Sequence, residues 1–457
     1  MNAFTAVVTT GIYCRPACGA RPRAENTRTF PVAAAAEAAG YRACLRCRPY
    51  RYPQTFDWNA PELVCRAVRL ILEGALDRGN EEELGHRLGI SARHLRRLFI
   101  DHLGVTPDGL ARSARVHFAR RLLDDTDLTV TEVAFSAGFG SLRQFNRACQ
   151  DVFQDSPRAL RARRRKDDRL VADGGLLLRL GFIGQLDWDG MLTHFEAHAI
   201  PGVESVQGDT YRRTIVVEGH PGVLELARGG ADHLLLRAHL PRWGELVHLV
   251  QRARRIAALD LCLERAQRDL ERDPLLAPLL QAEPGLRPPG TWDAFETGVF
   301  AILAQDAPPE ETKVLLARLV ERFGQGAPGL GAMRLTHTFP SAATLATAGL
   351  RQVGLTAAQA RAVGDFARRV ARGAIMLDGS VILDQLVQSI ASIDGVDAST
   401  ADYIALRLGE ADAYPKAPWA HAGGASERWR PWRAVAAVHL WRVKETQQLT
   451  QRLEGAA

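Results

Sequence analysis

Apolar residues recur at helical spacing through much of the chain, beginning after Pro61, a favourable residue for a first helical turn. The apolar positions of this first helix are Leu63, Val64, Ala67, Val68, Ile71 and Leu72. Residues 83–99 and 131–149 each predict a short helix, a turn and a second helix, which is the pattern of a helix-turn-helix unit. A long helix over about residues 106–123 is expected between the two units.

Turn and capping residues support this interpretation. Gly89 and Gly138 stand where each short helix should end, and glycine accepts the left-handed backbone found there. Ser91 and Ser141 follow, and each can cap the second helix of its unit. The charged run from Arg161 to Asp168 then predicts a solvated tether.

The pattern changes from about residue 175 onwards. Strands are predicted at 176–180, 211–217, 223–226 and 233–239, and helices at 189–199 and 243–259. From about residue 288 the pattern is mostly helical, with helices near 292–296 and 310–323. Residues 389–405 predict two helices around a short glycine turn, a helix-hairpin-helix. The expected fold is therefore multidomain, mainly α with α+β parts.

Positive charge is concentrated in the first third of the chain. The 457 residues carry a net charge of +6, but residues 1–168 hold 27 Lys and Arg against 19 Asp and Glu. The remaining residues hold 31 against 33. A length of this order predicts two to four domains, and the basic first third favours a nucleic-acid partner.

Four of the seven cysteines lie in the first 47 residues, as Cys14, Cys18, Cys44 and Cys47. Two closely spaced pairs can complete a tetrahedral zinc site with four thiolate ligands. A disulfide framework is the alternative. We see no signal peptide and no apolar span of membrane length, so we expect a reducing, cytoplasmic, nucleoid-associated protein and zinc rather than disulfides. Cys65, Cys149 and Cys262 stand alone, and we expect buried thiols there.

The run from Thr10 to Pro16, Glu25-Asn26 and the run from Ala36 to Pro49 resemble the zinc domain of the Ada family of alkylation-response proteins. That resemblance implies that Cys14 accepts a methyl group from a DNA methylphosphotriester, irreversibly, and that all four cysteines bind the metal. Seven arginines surround the thiols, at positions 15, 21, 23, 28, 42, 46 and 48. Family members carry a longer segment before the strand expected at Phe4 to Thr9, which places the packing of this domain in question.

The runs Val130–Ala134 and Ala137–Phe139, together with the long helix between the two units, resemble the AraC family of DNA-binding domains. The resemblance implies that each second helix enters a major groove. The expected DNA contacts are Arg93, His94, Arg96, Arg97, Arg143, Gln144, Asn146 and Arg147. The alternative is that these are only the solvated faces of small helices.

Residues 175 to the end resemble the AlkA type of DNA-3-methyladenine glycosylase, of the helix-hairpin-helix superfamily. The resemblance rests on several runs: Ala199–Val203, Tyr211–Thr214, Arg272–Leu275, Trp292-Asp293, Thr338–Pro340 and Arg428–Arg433. It implies a hairpin that binds a DNA phosphate at Gly395. It also implies a base pocket, and Tyr403 and Trp432 are candidate residues of that pocket. Both aromatic residues are otherwise ordinary core residues.

The sequence departs from that family at each functional point. Asp394 and Asp397 place negative charge where a phosphate should approach, and Ser399 replaces an expected aromatic residue. Ala304-Gln305-Asp306 replaces a Gly-Gln-Gln run. Pro418 stands where the family has its catalytic Asp, and Asp412 and Glu427 are the nearby carboxylates. We therefore expect a degenerate glycosylase site, with Asp412 as its remaining candidate carboxylate.

These inferences predict four domains. They are a zinc domain over 1–53, a double helix-turn-helix domain over 58–165, an AlkA-like N-terminal domain over 170–284 and a glycosylase-like domain over 288–457. The function expected is a damage-responsive transcriptional regulator that methylates itself at Cys14. It should bind one Zn²⁺ and double-stranded DNA, and engage RNA polymerase but no membrane. Two alternatives stay open: a repair enzyme that also excises alkylated bases, and a DNA-binding regulator with purely structural zinc.

Overall fold

The structure is a computed structural model. It describes residues 3–16, 18–20, 22–53, 61–77, 79–171, 174–244, 246–305, 307–415 and 423–454, with backbone only for 423–425 and 444–454. The strands are β1 (Phe4–Val7), β2 (Ile12–Cys14), β3 (Thr27–Phe30), β4 (Arg42–Ala43), β5 (Leu176–Gly181), β6 (Glu204–Gln207), β7 (Thr210–Val217), β8 (His220–Arg228) and β9 (His233–His239).

The helices of the first half are α1 (Ala33–Ala38), α2 (Glu62–Leu72), α3 (Glu81–Arg87), α4 (Ala92–Leu103), α5 (Pro107–Asp125), α6 (Val130–Ser136), α7 (Leu142–Phe153), α8 (Pro157–Ala162), α9 (Trp188–Ala197) and α10 (Leu246–Ile256). Those of the second half are α11 (Leu263–Leu270), α12 (Ala277–Ala282), α13 (Ala294–Ala304), α14 (Pro309–Phe323), α15 (Ala342–Thr347), α16 (Ala357–Ala371), α17 (Leu383–Ala391), α18 (Ala398–Arg407) and α19 (Arg433–Glu454).

The chain divides into two compact units, and the first comprises Met1–Ile183 and His233–Arg254. It begins with a sheet in the order β3-β1-β2-β4, in which β1 is antiparallel to both neighbours and β2 is parallel to β4. We call the described part of residues 3–53, which contains this sheet, α1 and the loops that carry the cysteines, the front module. Only β1 was predicted from the sequence, because β2 and β4 are two or three residues long and show no alternation of apolar and polar positions.

The helical part of the first unit has the predicted arrangement. One apolar core continues from α1 into α2, α4 and α5, and includes Ala35, Val68, Phe99 and Leu110. Helix α5 is the long helix that joins the two helix-turn-helix units, and Thr106 caps its first turn through a hydrogen bond from Gly109 N–H. In the same unit, β5 pairs antiparallel with β9.

The charged segment after α8 is not the solvated tether predicted from the sequence. Asp168 accepts two hydrogen bonds from Arg48 of the front module, at 2.6 and 2.7 Å. Arg179 of β5 donates to the Asp168 carbonyl at 2.8 Å. Arg164 and Arg169 both donate to Asp127. These ion pairs dock the segment on the unit that contains it.

The second unit comprises Gly184–Asp232 and Arg255–Ala457. Strands β6, β7 and β8 pair antiparallel in chain order, and β6 was not predicted from the sequence. Helices α11 to α19 follow, and α17 and α18 form the predicted helix-hairpin-helix. The chain is therefore helix-rich and multidomain, with small sheets, as predicted. Within the described ranges no helix has both the length and the apolar content needed to cross a membrane.

Candidate zinc centre and nucleic-acid interface

The front module brings both cysteine pairs to one end of its sheet. Cys14 ends β2, and Cys44 directly follows β4, which runs parallel to β2 with Tyr13 opposite Ala43. Because parallel strands end at the same edge, the loops that carry Cys18 and Cys47 begin side by side. The sulfur atoms of Cys14, Cys18 and Cys47 lie within 4.8 Å of one another. Cys44 lies outside this group of three but contributes a hydrogen bond to Cys47.

The four thiols interact electrostatically. The Cys14 thiol donates a hydrogen bond to the Cys47 sulfur, and this bond is the main cause that lowers the pKa of Cys47 to about 5. The same hydrogen bond, together with burial and the charge of Cys47, raises the pKa of Cys14 well above its usual range. Cys14 is also the least accessible of the four, at 8% exposed, whereas the other three are half-buried.

This donor set fits zinc. A tetrahedral Zn²⁺ with Zn–S bonds of about 2.3 Å requires sulfur atoms about 3.8 Å apart, and the three clustered sulfurs lie within 4.8 Å of one another. All seven cysteines are free thiols, so no disulfide competes for the ligands. Cys14, Cys18 and Cys47, with Cys44 adjacent, are thus the residues that would hold the metal.

One of the seven arginines predicted to surround the thiols is not available to DNA. Arg15 and Arg46 are exposed, and Arg15 lies 5.8 Å from the ring centre of Tyr52. Arg48 is buried and committed to Asp168, so it does not belong to the exposed surface. Arg21 lies outside the described residues. Arg23 and Arg28 are also exposed, and Arg42 is half-buried.

Both helix-turn-helix units have the predicted caps and turns. Ser91 accepts from His94 N–H at 3.3 Å, and Ser141 accepts from Gln144 N–H at 3.2 Å. Gly89 and Gly138 have positive φ angles of 71° and 80°. These conformations turn the chain sharply into α4 and α7, the second helices of the two units.

The predicted DNA contacts lie on the outer faces of α4 and α7. All are exposed except His94, which is half-buried: Arg93, Arg96, Arg97, Arg143, Gln144, Asn146 and Arg147. Several already have intramolecular partners. Arg96 pairs with Glu81 at 2.8 Å, Arg97 hydrogen-bonds His94 at 3.0 Å, and Asn146 donates to the Leu142 carbonyl. Their exposure agrees with the prediction, and their contact with DNA stays a prediction.

Leu142, the first residue of α7, is 38% exposed and is a further candidate for DNA contact that was not predicted from the sequence. The N-terminal end of such a helix is the part that reaches base edges. Its apolar character in an exposed first turn was the available signal.

In the second unit, the hairpin between α17 and α18 has its polar groups paired internally. Gly395 has the expected positive φ of 84° and is exposed. Gln305 donates to the Gly395 carbonyl at 3.2 Å and accepts from Asp397 N–H at 3.0 Å and from Thr400 Oγ1 at 3.0 Å. The carboxylate of Asp397 accepts from Thr400 N–H and caps α18. The backbone N–H groups of Asp397 and Thr400 are therefore already used, next to a negative charge.

The Asp412 carboxylate is also held by ion pairs. Its carboxylate accepts from Arg433 Nε at 2.8 Å and from Arg433 Nη2 at 3.0 Å, and it also pairs with Arg430. Burial raises the pKa of Asp412, although both arginines oppose that rise. Both carboxylate oxygens are thus held in a structural ion-pair network. Pro418, at the position expected for a catalytic Asp, and Asp306 lie outside the described residues.

Tyr403 and Trp432, the two predicted base-pocket residues, both have partners within the described part of the chain, and their place in a base pocket stays a prediction. Trp432 is 1% exposed and donates its indole N–H to Asp269 at 3.0 Å. Tyr403 is half-buried, accepts from Arg407 at 2.7 Å and contacts Trp441, with ring centres 6.1 Å apart. Trp441 was not singled out from the sequence. A cavity of about 20 Å³ in the same unit has neither Tyr403 nor Trp432 in its lining, and it has room for about one water rather than a purine.

Comparison with known protein families gives three matches in chain order. Residues 2–50 match the metal binding domain of Ada. Residues 84–163 match a helix-turn-helix domain. Residues 177–293 match the AlkA N-terminal domain. The first match agrees with the zinc ligand set built above.

Three curated relatives cover different shares of the chain. A Mycobacterium tuberculosis protein described as a probable bifunctional transcriptional activator/DNA repair enzyme AlkA is 35% identical over 96% of this chain and 92% of its own length. The Escherichia coli DNA-3-methyladenine glycosylase 2 is 30% identical over 56% of this chain and 93% of its own length. The Escherichia coli bifunctional transcriptional activator/DNA repair enzyme Ada is 31% identical over 32% of this chain and 40% of its own length.

Proposed function

The chain belongs to the family of bifunctional transcriptional activator/DNA repair enzymes, and on that premise we propose that its first unit is an alkylation sensor with Cys14 as the methyl acceptor. The observation that carries the proposal is the convergence of the Cys14, Cys18 and Cys47 sulfurs on a module docked to two helix-turn-helix units. A nucleophilic sulfur and a DNA reader then belong to one compact unit.

The reaction needs a thiolate and a methyl group bonded to a phosphate oxygen. Zinc, when bound, keeps the cysteine sulfurs in the thiolate form at neutral pH. The Cys14 sulfur attacks the methyl carbon of a DNA methylphosphotriester. The new S–C bond forms as the C–O bond breaks, and the electron pair of that bond stays on the phosphate oxygen. The DNA becomes an ordinary phosphodiester, and the protein keeps a thioether, so each chain reacts once.

Methylation changes the charge next to the DNA. Four thiolates on one Zn²⁺ carry a net charge of about −2, and conversion of one thiolate to a thioether removes one negative charge. Repulsion from DNA phosphates falls, and the exposed Arg15 and Arg46 contribute more to attraction. Operator affinity of α4 and α7 should rise, which would let the protein recruit RNA polymerase only after damage.

Accessibility alone would favour Cys18, Cys44 or Cys47, because Cys14 is the most buried of the four. The assignment to Cys14 rests on its resemblance to the acceptor of the Ada family, so peptide mapping is the decisive test. The zinc-loaded protein is incubated with a duplex containing one methylphosphotriester, digested and analysed by mass spectrometry. We expect one methyl group, on the peptide that contains Cys14.

Cys14→Ser should abolish methyl uptake and the damage-induced gain in DNA affinity together. The control is Cys262→Ser, which changes a half-buried thiol in the second unit and should react as the wild type does. A methyl group on Cys18, Cys44 or Cys47 would reassign the acceptor. No methyl uptake by the wild type would leave a DNA-binding regulator with structural zinc.

We do not extend the proposal to base excision. The second unit is similar to a glycosylase in sequence, but the N–H groups of Asp397 and Thr400 in the hairpin and the Asp412 carboxylate are occupied by the protein's own side chains. Together these contacts support a second unit retained for its fold rather than for catalysis.

A further inference from the structure

A buried triad links the strand of Cys14 to helix α5. The Tyr13 hydroxyl donates to Glu37 Oε1 at 2.5 Å and lies 3.2 Å from His117 Nε2. His117 Nε2 lies 2.6 Å from the same carboxylate oxygen. Tyr13 is 0% and His117 4% exposed, and the Glu37 side chain is 6% exposed. Burial alone would raise the pKa of Glu37, but the charge and hydrogen bond of His117 and the Tyr13 hydroxyl lower it.

The triad joins three separate elements. Tyr13 lies in β2 directly before Cys14, Glu37 lies in α1, and His117 lies near the middle of α5. Because successive side chains of a strand point to opposite faces, Cys14 faces the thiol cluster while Tyr13 faces α5. Any displacement of β2 at Cys14 therefore reaches the His117 side chain through one hydroxyl group.

The contacts continue from His117 to the second helix-turn-helix unit. The ring of His117 lies 6.0 Å from that of Phe153, the last residue of α7. Phe153 also contacts Tyr50 of the front module edge to face, at 5.7 Å between ring centres. A continuous series of buried groups thus runs from Cys14 through Tyr13 and His117 to the C-terminal end of α7.

We infer that Tyr13, Glu37 and His117 are positioning residues that couple the state of Cys14 to α5 and α7. This inference rests on the proposed methyl transfer. Cys14 is 8% exposed, so a methyl group added to its sulfur needs space that close-packed neighbours do not offer. Strand β2 shifts to make that space, and the Tyr13 hydroxyl therefore moves relative to Glu37 and His117. Helices α5 and α7 then adopt the arrangement that binds operator DNA.

Other contacts dock the front module without involving β2. Arg48 pairs with Asp168, and Arg51 pairs with Asp125 at 2.7 Å. Tyr50 donates to Asp124 at 2.9 Å. Removal of the Tyr13 hydroxyl should therefore leave the module docked, so a change in coupling can be separated from a change in docking.

The test compares two variants at this interface. Tyr13→Phe removes only the hydroxyl, and Asp168→Asn weakens docking away from the triad. Each zinc-loaded protein is methylated with the triester duplex. Its affinity for a duplex selected from random sequence by the methylated wild type is then measured before and after methylation.

We expect Tyr13→Phe to take up one methyl group normally but to lose most of the affinity gain, with the ratio of affinities after and before methylation falling at least about fivefold. Asp168→Asn should keep the wild-type ratio despite a lower melting temperature. Hydrogen exchange in α5 and α7 should change on methylation in the wild type but not in Tyr13→Phe. Glu37→Gln alters the triad at its α1 residue. If Tyr13→Phe folds poorly, Glu37→Gln should show the same loss of the affinity gain.

Two results would overturn the inference: a wild-type affinity ratio in Tyr13→Phe and Glu37→Gln, or loss of methyl uptake in Tyr13→Phe. The first would mean that charge relief alone carries the response, and the second would mean that the hydroxyl serves the reaction itself. If the wild type takes up no methyl group, the proposed function fails instead.

Discussion

The two units of this chain differ in how their predicted functional groups are arranged. In the first unit, reactive groups converge on one another: the sulfurs of Cys14, Cys18 and Cys47 lie together beside exposed arginines. In the second unit, the hairpin and Asp412, which were only predicted to act on DNA, pair with nearby side chains, Gln305 on the hairpin and Arg433 on Asp412. In the part of the second unit that the structure describes, two N–H groups of the hairpin and the Asp412 carboxylate are thus paired within the protein.

The largest expected difference between the units is their dependence on metal. A chelator that removes zinc should unfold the front module, because structural zinc contributes folding free energy directly, on the order of 10 kcal/mol in small zinc domains. We expect hydrogen-exchange protection of β1 to β4 to be lost while α13 to α18 keep theirs. Equal protection of β1 to β4 with and without metal would show that the thiols play no structural part.

Acid should weaken the second unit first. Burial, with a smaller effect of Arg407, lowers the pKa of His198 to about 4, and burial lowers the pKa of His439 to about 4. An unfolded His titrates near 6.5, so between these values the unfolded state binds more protons and stability falls as pH falls. From pH 7 to pH 5 each histidine should cost about 2 kcal/mol.

The first unit should resist this acidification. The pKa of Glu37 is lowered, so its charged carboxylate keeps contributing to folding stability until the pH falls below the ordinary carboxyl range. Urea unfolding followed by tryptophan fluorescence reports mainly the second unit, which holds six of the eight tryptophans. His439→Phe replaces a side chain whose Nε2 has no hydrogen-bond partner among the described residues. Burial also holds the pKa of His194 well below its usual value, so this variant should lose about a third of the dependence that the three buried histidines produce. An unchanged dependence would contradict the assignment.

The smallest expected effect concerns the hairpin. Asp394→Asn and Asp397→Asn together remove two exposed negative charges, and Asn can still cap α18. Because Gln305 occupies the Asp397 N–H and the side chain of residue 397 occupies the Thr400 N–H, we expect the affinity for nonspecific duplex to change by less than about fivefold, the equivalent of about 1 kcal/mol. A much larger rise would place the hairpin against a DNA phosphate after all.

Local features of both units could be predicted from the sequence. The caps Ser91 and Ser141, the turns at Gly89 and Gly138 and the four-cysteine pattern are all short-range signals, and the structure shows each cap and turn as predicted. The hairpin itself was predicted from helical spacing around Gly395. These features depend on residues a few positions apart, so a sequence pattern can record them.

Long-range pairings could not be predicted in this way. His117 meets Glu37 across 80 positions, and Gln305 meets Asp397 across 92. Asp168 pairs with Arg48 across 120 positions, and for this reason the segment predicted to be a solvated tether is packed instead. Each pairing depends on the tertiary fold, and a single charged residue gives no sign of which partner it will meet.

One incubation tests the central contrast directly. Zinc-loaded protein is mixed with methylated duplex DNA, and the same sample is analysed for methyl groups on cysteine peptides and for released 3-methyladenine. We expect up to one methyl group per chain, on Cys14, and base release no greater than in the protein-free control. Repeated release of 3-methyladenine by a protein whose Cys14 stays unmodified would contradict it.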